Sequence, residues 1–282
     1  MTRLPLYALV GLLVMFGSEA GMLLRVEPFW SWQTPIAWTG FILFVDGLVL
    51  RRRGRSWLTA APREFVLLAV CSVPLWLLFE AYNLLIHNWH YVNLPESPFW
   101  RNFGFAWAFA TIWPAIFEAA DLIAGLRQGE PMPATAASPL TRRFSPGAML
   151  SMLAGAVMLI WPIVRPSPWL APPVWLGFIL LLDPINARAG GESLGHDLRH
   201  GRFERLGNLI LAGFLCGLLW EFWNYWARTR WIYTVPYLPH VRIFEMPVLG
   251  YFGFPAFALE CFTMYVTLRL LVWRGRTFDI GV

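Results

Sequence analysis

The sequence predicts an all-α protein, a polytopic bundle of about eight transmembrane helices arranged as two parallel four-helix repeats. Three observations predict this fold. Hydrophobic residues make up 57% of the chain and charged residues only 14%, whereas a soluble domain is nearer a quarter charged. Apolar stretches of about 20 residues, enough to cross about 30 Å of hydrocarbon, recur along the chain. Finally, two blocks of sequence occur twice, in the same order.

The repeated blocks divide the chain into two similar halves. The first block, residues 38–46, matches residues 175–183. The second block contains an acid, an asparagine and a Trp-x-Tyr sequence, and it recurs in the second half with nearly the same internal spacing. Its matched positions are Glu80 and Glu221, Asn83 and Asn224, Trp89 and Trp231, and Tyr91 and Tyr233. The pattern indicates a tandem duplication.

Four spans are predicted in each half. We place them at residues 4–24, 32–50, 64–87, 102–125, 147–165, 172–188, 206–227 and 247–272. The second and sixth spans end near Asp46 and Asp183, and Pro184 is expected to kink or stop the sixth helix. An even number of spans per half makes both halves enter the membrane in the same direction, as parallel repeats. The predicted domains are a first repeat at 1–128, a cytoplasmic linker at 129–146 and a second repeat at 147–282.

Arginines are concentrated in alternate loops. They follow the second, fourth and sixth spans and close the chain, with fewer in the intervening loops. Under the positive-inside rule this pattern predicts an integral protein of a cytoplasmic (inner) membrane with both termini in the cytoplasm. Because the arginines lie between apolar runs, the net charge of +5 does not indicate nucleic-acid binding.

Four repeated carboxylates are expected at bilayer depth: Glu80, Glu118, Glu221 and Glu260. A charge at that depth costs at least about 2.5 kcal/mol, so such groups usually face a bundle interior or a cavity. The segments that carry the Trp-x-Tyr sequences, residues 88–101 and 228–246, are predicted to be loops. We expect the four carboxylates to approach one cavity beneath these loops, and we expect some of them to be protonated. The asparagine three residues after each of the first and third of these acids lies on the same helix face.

The order of acid, Trp-x-Tyr, Pro and Glu resembles the integral-membrane lycopene cyclase domains of the heterodimeric and fungal type. Here Glu80 precedes Trp89-His90-Tyr91, and Glu221 precedes Trp231-Ile232-Tyr233. The third element departs from the family pattern, because a single Glu stands where those domains have a Pro-x-Glu-Glu segment. The resemblance implies a small repeated helical unit and redox-neutral, proton-initiated chemistry on a polyisoprenoid.

We therefore expect an intramembrane enzyme that performs carboxylate acid–base chemistry on an isoprenoid or other lipid. Glu221 or Glu80 would protonate an alkene or activate a hydroxyl, and Glu260 or Glu118 would stabilise the cation or take back a proton. Aromatic rings can face a developing carbocation. The residues expected to bind substrate are Asn224, Asn83, Trp231, Tyr233, Trp89, Tyr91 and Trp223. The second half, with its denser aromatic sequence around Glu221, is expected to hold the working site.

Two other classes of function stay open. Parallel repeats with midplane carboxylates also suit a proton- or cation-coupled transporter or channel. Alternatively, buried Glu–Asn pairs could simply lock helices together in a structural membrane protein. The expected partners are membrane lipids and a lipophilic or small-molecule substrate, with no nucleic acid; homo-oligomerisation is left open. No cofactor and no metal is assigned, since His196 and His200 lie in a basic loop and indicate a solvated helix face.

Overall fold

The computed structural model describes residues 3–127, 144–272 and 280–281. Eight helices in this part of the chain are long and apolar enough to cross a membrane. They confirm the predicted helical bundle and indicate an integral membrane protein. Each predicted span matches one of them, with ends that shift by a few residues. The long helices are α1 Leu6–Leu23, α2 Gln33–Arg53, α4 Pro62–Ile86, α5 Pro98–Leu126, α6 Pro146–Val164, α7 Ala171–Arg188, α9 Glu204–Trp226 and α10 Gly253–Val272.

Short elements join the long helices. Helix α3 (Trp57–Ala60) follows α2, and helix α8 (Leu194–Arg199) follows α7. A strand follows the third long helix of each half, namely β1 (Trp89–Val92) after α4 and β2 (Arg230–Tyr233) after α9. A second hairpin and two 3₁₀ turns complete the list: β3 Arg242–Ile243, β4 Met246–Pro247, Pro168–Leu170 and Val248–Phe252. We call the end of the bundle that carries β1 and β2 the ribbon side, and the end that carries α3 and α8 the tail side.

The helices pack in the same way in both halves. Helix α1 packs on α2 as α6 packs on α7, α2 on α5 as α7 on α10, and α4 on α5 as α9 on α10. The first of these crossings is close because glycines meet there. A Cβ on Gly11 would lie 2.6 Å from the carbonyl oxygen of Gly40, and a Cβ on Gly155 would lie 2.6 Å from that of Gly177. Small residues allow helix backbones to approach in a membrane, where burial from water provides no drive.

Of the two outcomes expected at Pro184, a kink or a stop, the stop does not occur in helix α7. The helix continues to Arg188. Proline has no N–H for the carbonyl one turn earlier, that of Leu180. The hydroxyl of Ser151 on α6 donates to this freed carbonyl at 2.9 Å, so the break in the helix ladder is compensated by the neighbouring helix.

Asp46 and Asp183 organise the tail side. The carboxylate of Asp183 accepts hydrogen bonds from the Ser193 hydroxyl at 2.8 Å and from the backbone N–H of Leu194 at 2.7 Å. The Asp46 carboxylate likewise accepts from the Ser56 hydroxyl and the Leu58 N–H, both at 2.9 Å. Each aspartate thus satisfies free donors at the start of the following short helix.

The tail side also holds the last described residues. The N–H of Gly281 donates to Asp121 at 2.7 Å, and the carbonyl of the buried Ile280 accepts from Arg205 at 3.2 Å. The predicted linker at 129–146 lies outside the described residues, except for its last three. Of these, Ser145 caps α6 by accepting the N–H of Ala148 at 3.2 Å.

Candidate functional site

The two repeated Trp-x-Tyr sequences form a two-stranded antiparallel ribbon. Trp89 on β1 lies opposite Tyr233 on β2, and Tyr91 lies opposite Trp231. Each tryptophan therefore faces the tyrosine of the other half. These stretches were predicted to be loops, and the strands were not foreseen. The available signal was the alternation itself, since Trp and Tyr two residues apart lie on one face of a strand.

Asn83 and Asn224 hold the ribbon in place. The side-chain amide of Asn224 donates to the carbonyl of Trp231 at 2.8 Å, and its oxygen accepts the N–H of the same residue at 2.9 Å. Asn83 binds Trp89 in the same way, at 2.8 and 3.2 Å. Both asparagines are thus occupied by the backbone of the strands. They position the aromatic residues rather than pairing with a glutamate or facing a ligand.

One carboxyl oxygen of Glu80 accepts three hydrogen bonds. Its Oε1 accepts the hydroxyl of Tyr91 at 2.5 Å, the indole N–H of Trp76 at 2.9 Å and the indole N–H of Trp89 at 3.2 Å. The carboxyl group is therefore tied firmly to the ribbon.

Glu221 has a sparser arrangement. Its Oε1 accepts only the hydroxyl of Tyr233 at 2.8 Å, because the indole N–H of Trp231 donates to that hydroxyl instead. Its Oε2 is buried and has no hydrogen-bond partner in the part of the chain that the structure describes. Gly217 precedes Glu221 by four positions, as Trp76 precedes Glu80. The ring of Phe254 packs against this glycine, so the second half has no indole there. The two halves offer different hydrogen-bond environments to equivalent acids.

Beneath the ribbon lies a cavity of about 420 Å³. This volume is in the range of small-molecule sites. Four of the predicted site residues line it, namely Trp89, Tyr91, Trp231 and Tyr233. The wall also contains six tryptophans that were not among the predicted site residues: Trp32, Trp38, Trp76, Trp100, Trp175 and Trp220. Of these, Trp38 and Trp175 are matched positions of the first repeated block. Two arginines, Arg101 and Arg230, are also among the lining residues.

The four carboxylates do not converge on this cavity, and that expectation is corrected. In the described residues, its wall includes none of them. Glu80 and Glu221 lie one hydrogen bond behind it, reached through Tyr91 and Tyr233. A tyrosine thus stands between each acid and any ligand.

Glu118 and Glu260 lie elsewhere in the helix bundle. Both are fully buried, and no described residue forms a hydrogen bond with either carboxyl group. The charged groups that act on Glu118 are Asp46 and Asp121. The environment of Glu118 is therefore acidic and belongs to the packing around α2 and α5 rather than to the aromatic cavity.

Trp223 also lies away from the cavity wall. It is buried, and its ring packs edge-on against Trp38 at a centroid distance of 4.8 Å. Because Trp38 itself lines the cavity, Trp223 supports the wall from behind. Its predicted role in substrate binding is at most indirect.

The tyrosine hydroxyls keep their protons. Burial raises the pKa of Tyr91 and of Tyr233 well above the ordinary value, and the neighbouring glutamate of each raises it further. Ionised tyrosine would place a negative charge directly beside that carboxyl group. At neutral pH each tyrosine is therefore an O–H donor to its glutamate.

In residues 3–127, 144–272 and 280–281, no three His, Cys, Asp or Glu side chains are grouped so that they could hold a metal ion. His196 and His200 lie together on α8 and its cap, with ring centroids 4.2 Å apart. Burial and the neighbouring His200 lower the pKa of His196.

Comparison with known proteins gives no further guidance, since no family model, curated protein or solved structure matches the chain.

Proposed function

We propose that this protein is an intramembrane enzyme that binds an isoprenoid or other unsaturated lipid in the aromatic cavity and moves protons on it without redox change. One observation carries the proposal. Tyr91 and Tyr233 line the cavity and donate to two acids behind it, the partly buried Glu80 and the buried Glu221. The resemblance to lycopene cyclase domains in the same residues supports the same class of chemistry.

Glu221 and Glu80 have different hydrogen-bond partners, which suggests that one acts as the general acid and the other as the base. Glu221 has one donor and a free oxygen that can carry a proton, which suits a general acid. Glu80 has three donors on one oxygen, which suits an ionised carboxylate acting as a base. In this scheme Tyr233 gives its proton to a substrate alkene while Glu221 reprotonates the tyrosine. Tyr91 then takes a proton from the resulting cation and passes its own to Glu80.

Atoms and charge balance for the lipid, while one proton moves from Glu221 to Glu80; proton exchange with water then returns both acids to their starting states. The alkene gains one proton and becomes a carbocation, and the cation loses one proton to form a new alkene. The net reaction is an isomerisation or cyclisation of the lipid. The tryptophan faces around the cavity are suited to stabilise the intermediate, since a cation over an indole gains from about 0.5 to more than 2 kcal/mol. Trp76, for example, lies between Trp89 and Trp220, with centroid distances of 6.0 and 6.1 Å.

We also propose that the halves are parallel repeats related by a pseudo-two-fold axis through the ribbon. Trp89 pairs with Tyr233, and Tyr91 pairs with Trp231. A two-fold produces this pattern, because each contact recurs with the partners exchanged. The arginine pattern then favours a cytoplasmic membrane with the tail side in the cytoplasm. The ribbon and the cavity beneath it would belong to the outer leaflet.

A proton- or cation-coupled transporter is the second candidate. It is favoured by Glu118 and Glu260, which are fully buried without hydrogen-bond partners, since such groups inside a membrane often mark ion or proton pathways. The third alternative, a structural role for Glu–Asn locks, loses its basis because Asn83 and Asn224 bind the strand backbone instead.

Lipid analysis separates these candidates. Lipids from a strain that expresses the protein and from a matched strain that lacks it would be compared by chromatography and mass spectrometry. The proposed enzyme produces an isoprenoid of unchanged mass and altered retention, because the reaction is redox-neutral. Identical lipid profiles, together with protein-dependent proton or cation flux into vesicles, would instead establish the transporter.

A further inference from the structure

Three arginines gather at the ribbon side, against the general distribution of positive charge in this chain. Arg25 follows α1, Arg228 lies two residues before β2, and Arg230 is the first residue of β2. Together with Trp30 they line a cleft of about 350 Å³. Orientation signals do not require basic residues at this end of the bundle. Their presence in one cleft therefore needs a separate reason.

Cation–π contacts with Trp30 hold two of the three arginines in place. The guanidinium groups of Arg25 and Arg228 lie over the ring of Trp30, 5.7 and 5.1 Å from its centroid. Arg25 also adopts a left-handed backbone conformation, with φ of 57°, which is uncommon for a residue other than glycine. This conformation closes α1, because the N–H groups of Arg25 and Val26 donate to the carbonyls of Met22 and Gly21, as in a Schellman motif.

Positive charge in the cleft exceeds the negative charge that faces it. Glu27 pairs with Arg228 at 3.2 Å, and both side chains are about half exposed. Glu245 lies 3.9 Å from Arg230, beyond hydrogen-bond distance. The Nε of Arg230 is buried without a partner. Arg25 has no ion pair among the described residues. The arrangement leaves donors ready for an anion.

Arg230 lines both this cleft and the aromatic cavity. The remaining wall of the cleft includes Leu23 and Trp226, at the ribbon-side ends of two candidate membrane spans. An amphipathic molecule with an anionic head and an apolar chain matches these surroundings. Guanidinium groups are well suited to phosphate because they present planar, forked donors.

We propose that Arg25, Arg228 and Arg230 bind the phosphate headgroup of an isoprenoid phosphate whose chain enters the aromatic cavity. The headgroup site stands on the arginine geometry. Only the statement that this lipid is the substrate rests on the proposed function. A phospholipid and free phosphate would present the same headgroup chemistry, and the experiment distinguishes them.

Binding would be measured on the full-length protein in detergent by quenching of tryptophan fluorescence. The probes are farnesyl phosphate, the matched neutral alcohol farnesol, inorganic phosphate and short-chain phosphatidic acid. Farnesyl phosphate should bind at least about tenfold more tightly than farnesol, and Arg25→Gln or Arg228→Gln should each remove about tenfold of its affinity. Arg165→Gln is the matched control, because Arg165 is exposed directly after α6 in the second half.

The outcomes decide the site and the substrate separately. Equal binding of farnesyl phosphate and farnesol, or arginine variants that bind like wild type, would overturn the headgroup site. Inorganic phosphate that competes as well as farnesyl phosphate would show a free-anion site and overturn the lipid assignment. Equal competition by phosphatidic acid would overturn the isoprenoid assignment. If farnesyl phosphate binds as expected but is never converted, the proposed reaction fails while the headgroup site stands.

Discussion

The indole N–H of Trp231 donates to the hydroxyl of Tyr233 at 2.8 Å. Its counterpart in the first half, Trp89, donates directly to Glu80 at 3.2 Å. Equivalent residues thus form different networks, and the difference leaves Glu221 with a single donor where Glu80 has three. If the halves arose by duplication, this is the point at which their chemistry has diverged.

The first prediction concerns Glu221→Gln. The amide keeps the volume and can still accept from Tyr233, but it cannot deliver a proton through it. We expect the rate of lipid conversion to fall by about 10²- to 10⁴-fold, the usual contribution of a general acid, with unchanged helical content and detergent-solubilised size. Glu96→Gln is the control, because Glu96 is exposed in the segment that follows β1. Full conversion by Glu221→Gln would remove Glu221 from the mechanism.

The second prediction separates Tyr233 from Tyr91. Tyr233→Phe keeps the ring in the cavity wall but removes the hydroxyl that links the substrate to Glu221, so protonation should stop. Tyr91→Phe should instead block deprotonation and let the cation be captured by water or revert. Product analysis by mass spectrometry would then show no product for Tyr233→Phe and altered or hydrated products for Tyr91→Phe. Identical product patterns for the two variants would contradict the division into acid and base.

A third prediction follows from the tyrosine pKa values. Burial and the adjacent glutamate hold the pKa of Tyr91 and Tyr233 well above 10. The unfolded chain therefore loses these two protons near pH 10, while the folded protein keeps them. Their contribution to stability is complete below pH 10 and declines as the pH rises above it.

Absorbance of tyrosinate near 295 nm measures this effect. The difference between the titrations of wild type and the Tyr91→Phe/Tyr233→Phe double variant should show no step between pH 9 and 11 while the protein is folded. Tyr225→Phe is a comparison on the exposed ribbon-side end of α9. A normal ionisation step assigned to Tyr91 or Tyr233 would show that water reaches their hydroxyls.

The helices were predictable from sequence because composition and length determine what can cross a membrane. The eight spans follow from apolar runs, and even α7 is helical through Pro184, where a hydrogen bond from Ser151 was not foreseeable. The hydrogen bond by which Asp183 caps α8 likewise could not be predicted from the sequence. Such compensation depends on which groups meet in three dimensions, and local pattern does not contain that information.

The repeated acid, asparagine and Trp-x-Tyr indicated the members of one hydrogen-bond network in each half, but not its arrangement. Their role in function stays a prediction, and wall residues such as Trp76 were not predicted. Sequence spacing could not show that Asn224 binds the backbone of Trp231, or that Tyr233 stands between Glu221 and the cavity. The ribbon forms between segments from different halves of the chain, and its register depends on how the two halves pack.

The fourth prediction tests the structural role of the asparagines. Asn224→Ala leaves the N–H and carbonyl of Trp231 without their partners. The free energy of unfolding should fall by about 1–3 kcal/mol, the usual cost of an unsatisfied buried polar group. The cost of two such groups is not expected to double, because Trp231 is only partly buried. Unfolding of the solubilised protein by denaturant would measure the change.

The control for this variant is Asn102→Ala, at an exposed position on α5. It should leave the free energy of unfolding within about 0.5 kcal/mol of wild type, as surface substitutions usually do. If Asn224→Ala is as stable as this control, the asparagine does not hold the ribbon.

The last prediction concerns the orientation of the bundle. The arginine distribution favours a tail side in the cytoplasm, and exposed positions are available on each side: Glu96 near the ribbon and Leu198 on α8. In a Cys71→Ser background, Glu96→Cys should react with a membrane-impermeant maleimide added to intact cells, whereas Leu198→Cys should react only after the membrane is opened. Cys216 and Cys261 are buried and should not react with the maleimide in either condition. Labelling of Leu198→Cys but not Glu96→Cys in intact cells would invert the topology and place the aromatic cavity in the cytoplasmic leaflet. Labelling of both would show that the ribbon and tail sides do not lie on opposite faces of the membrane.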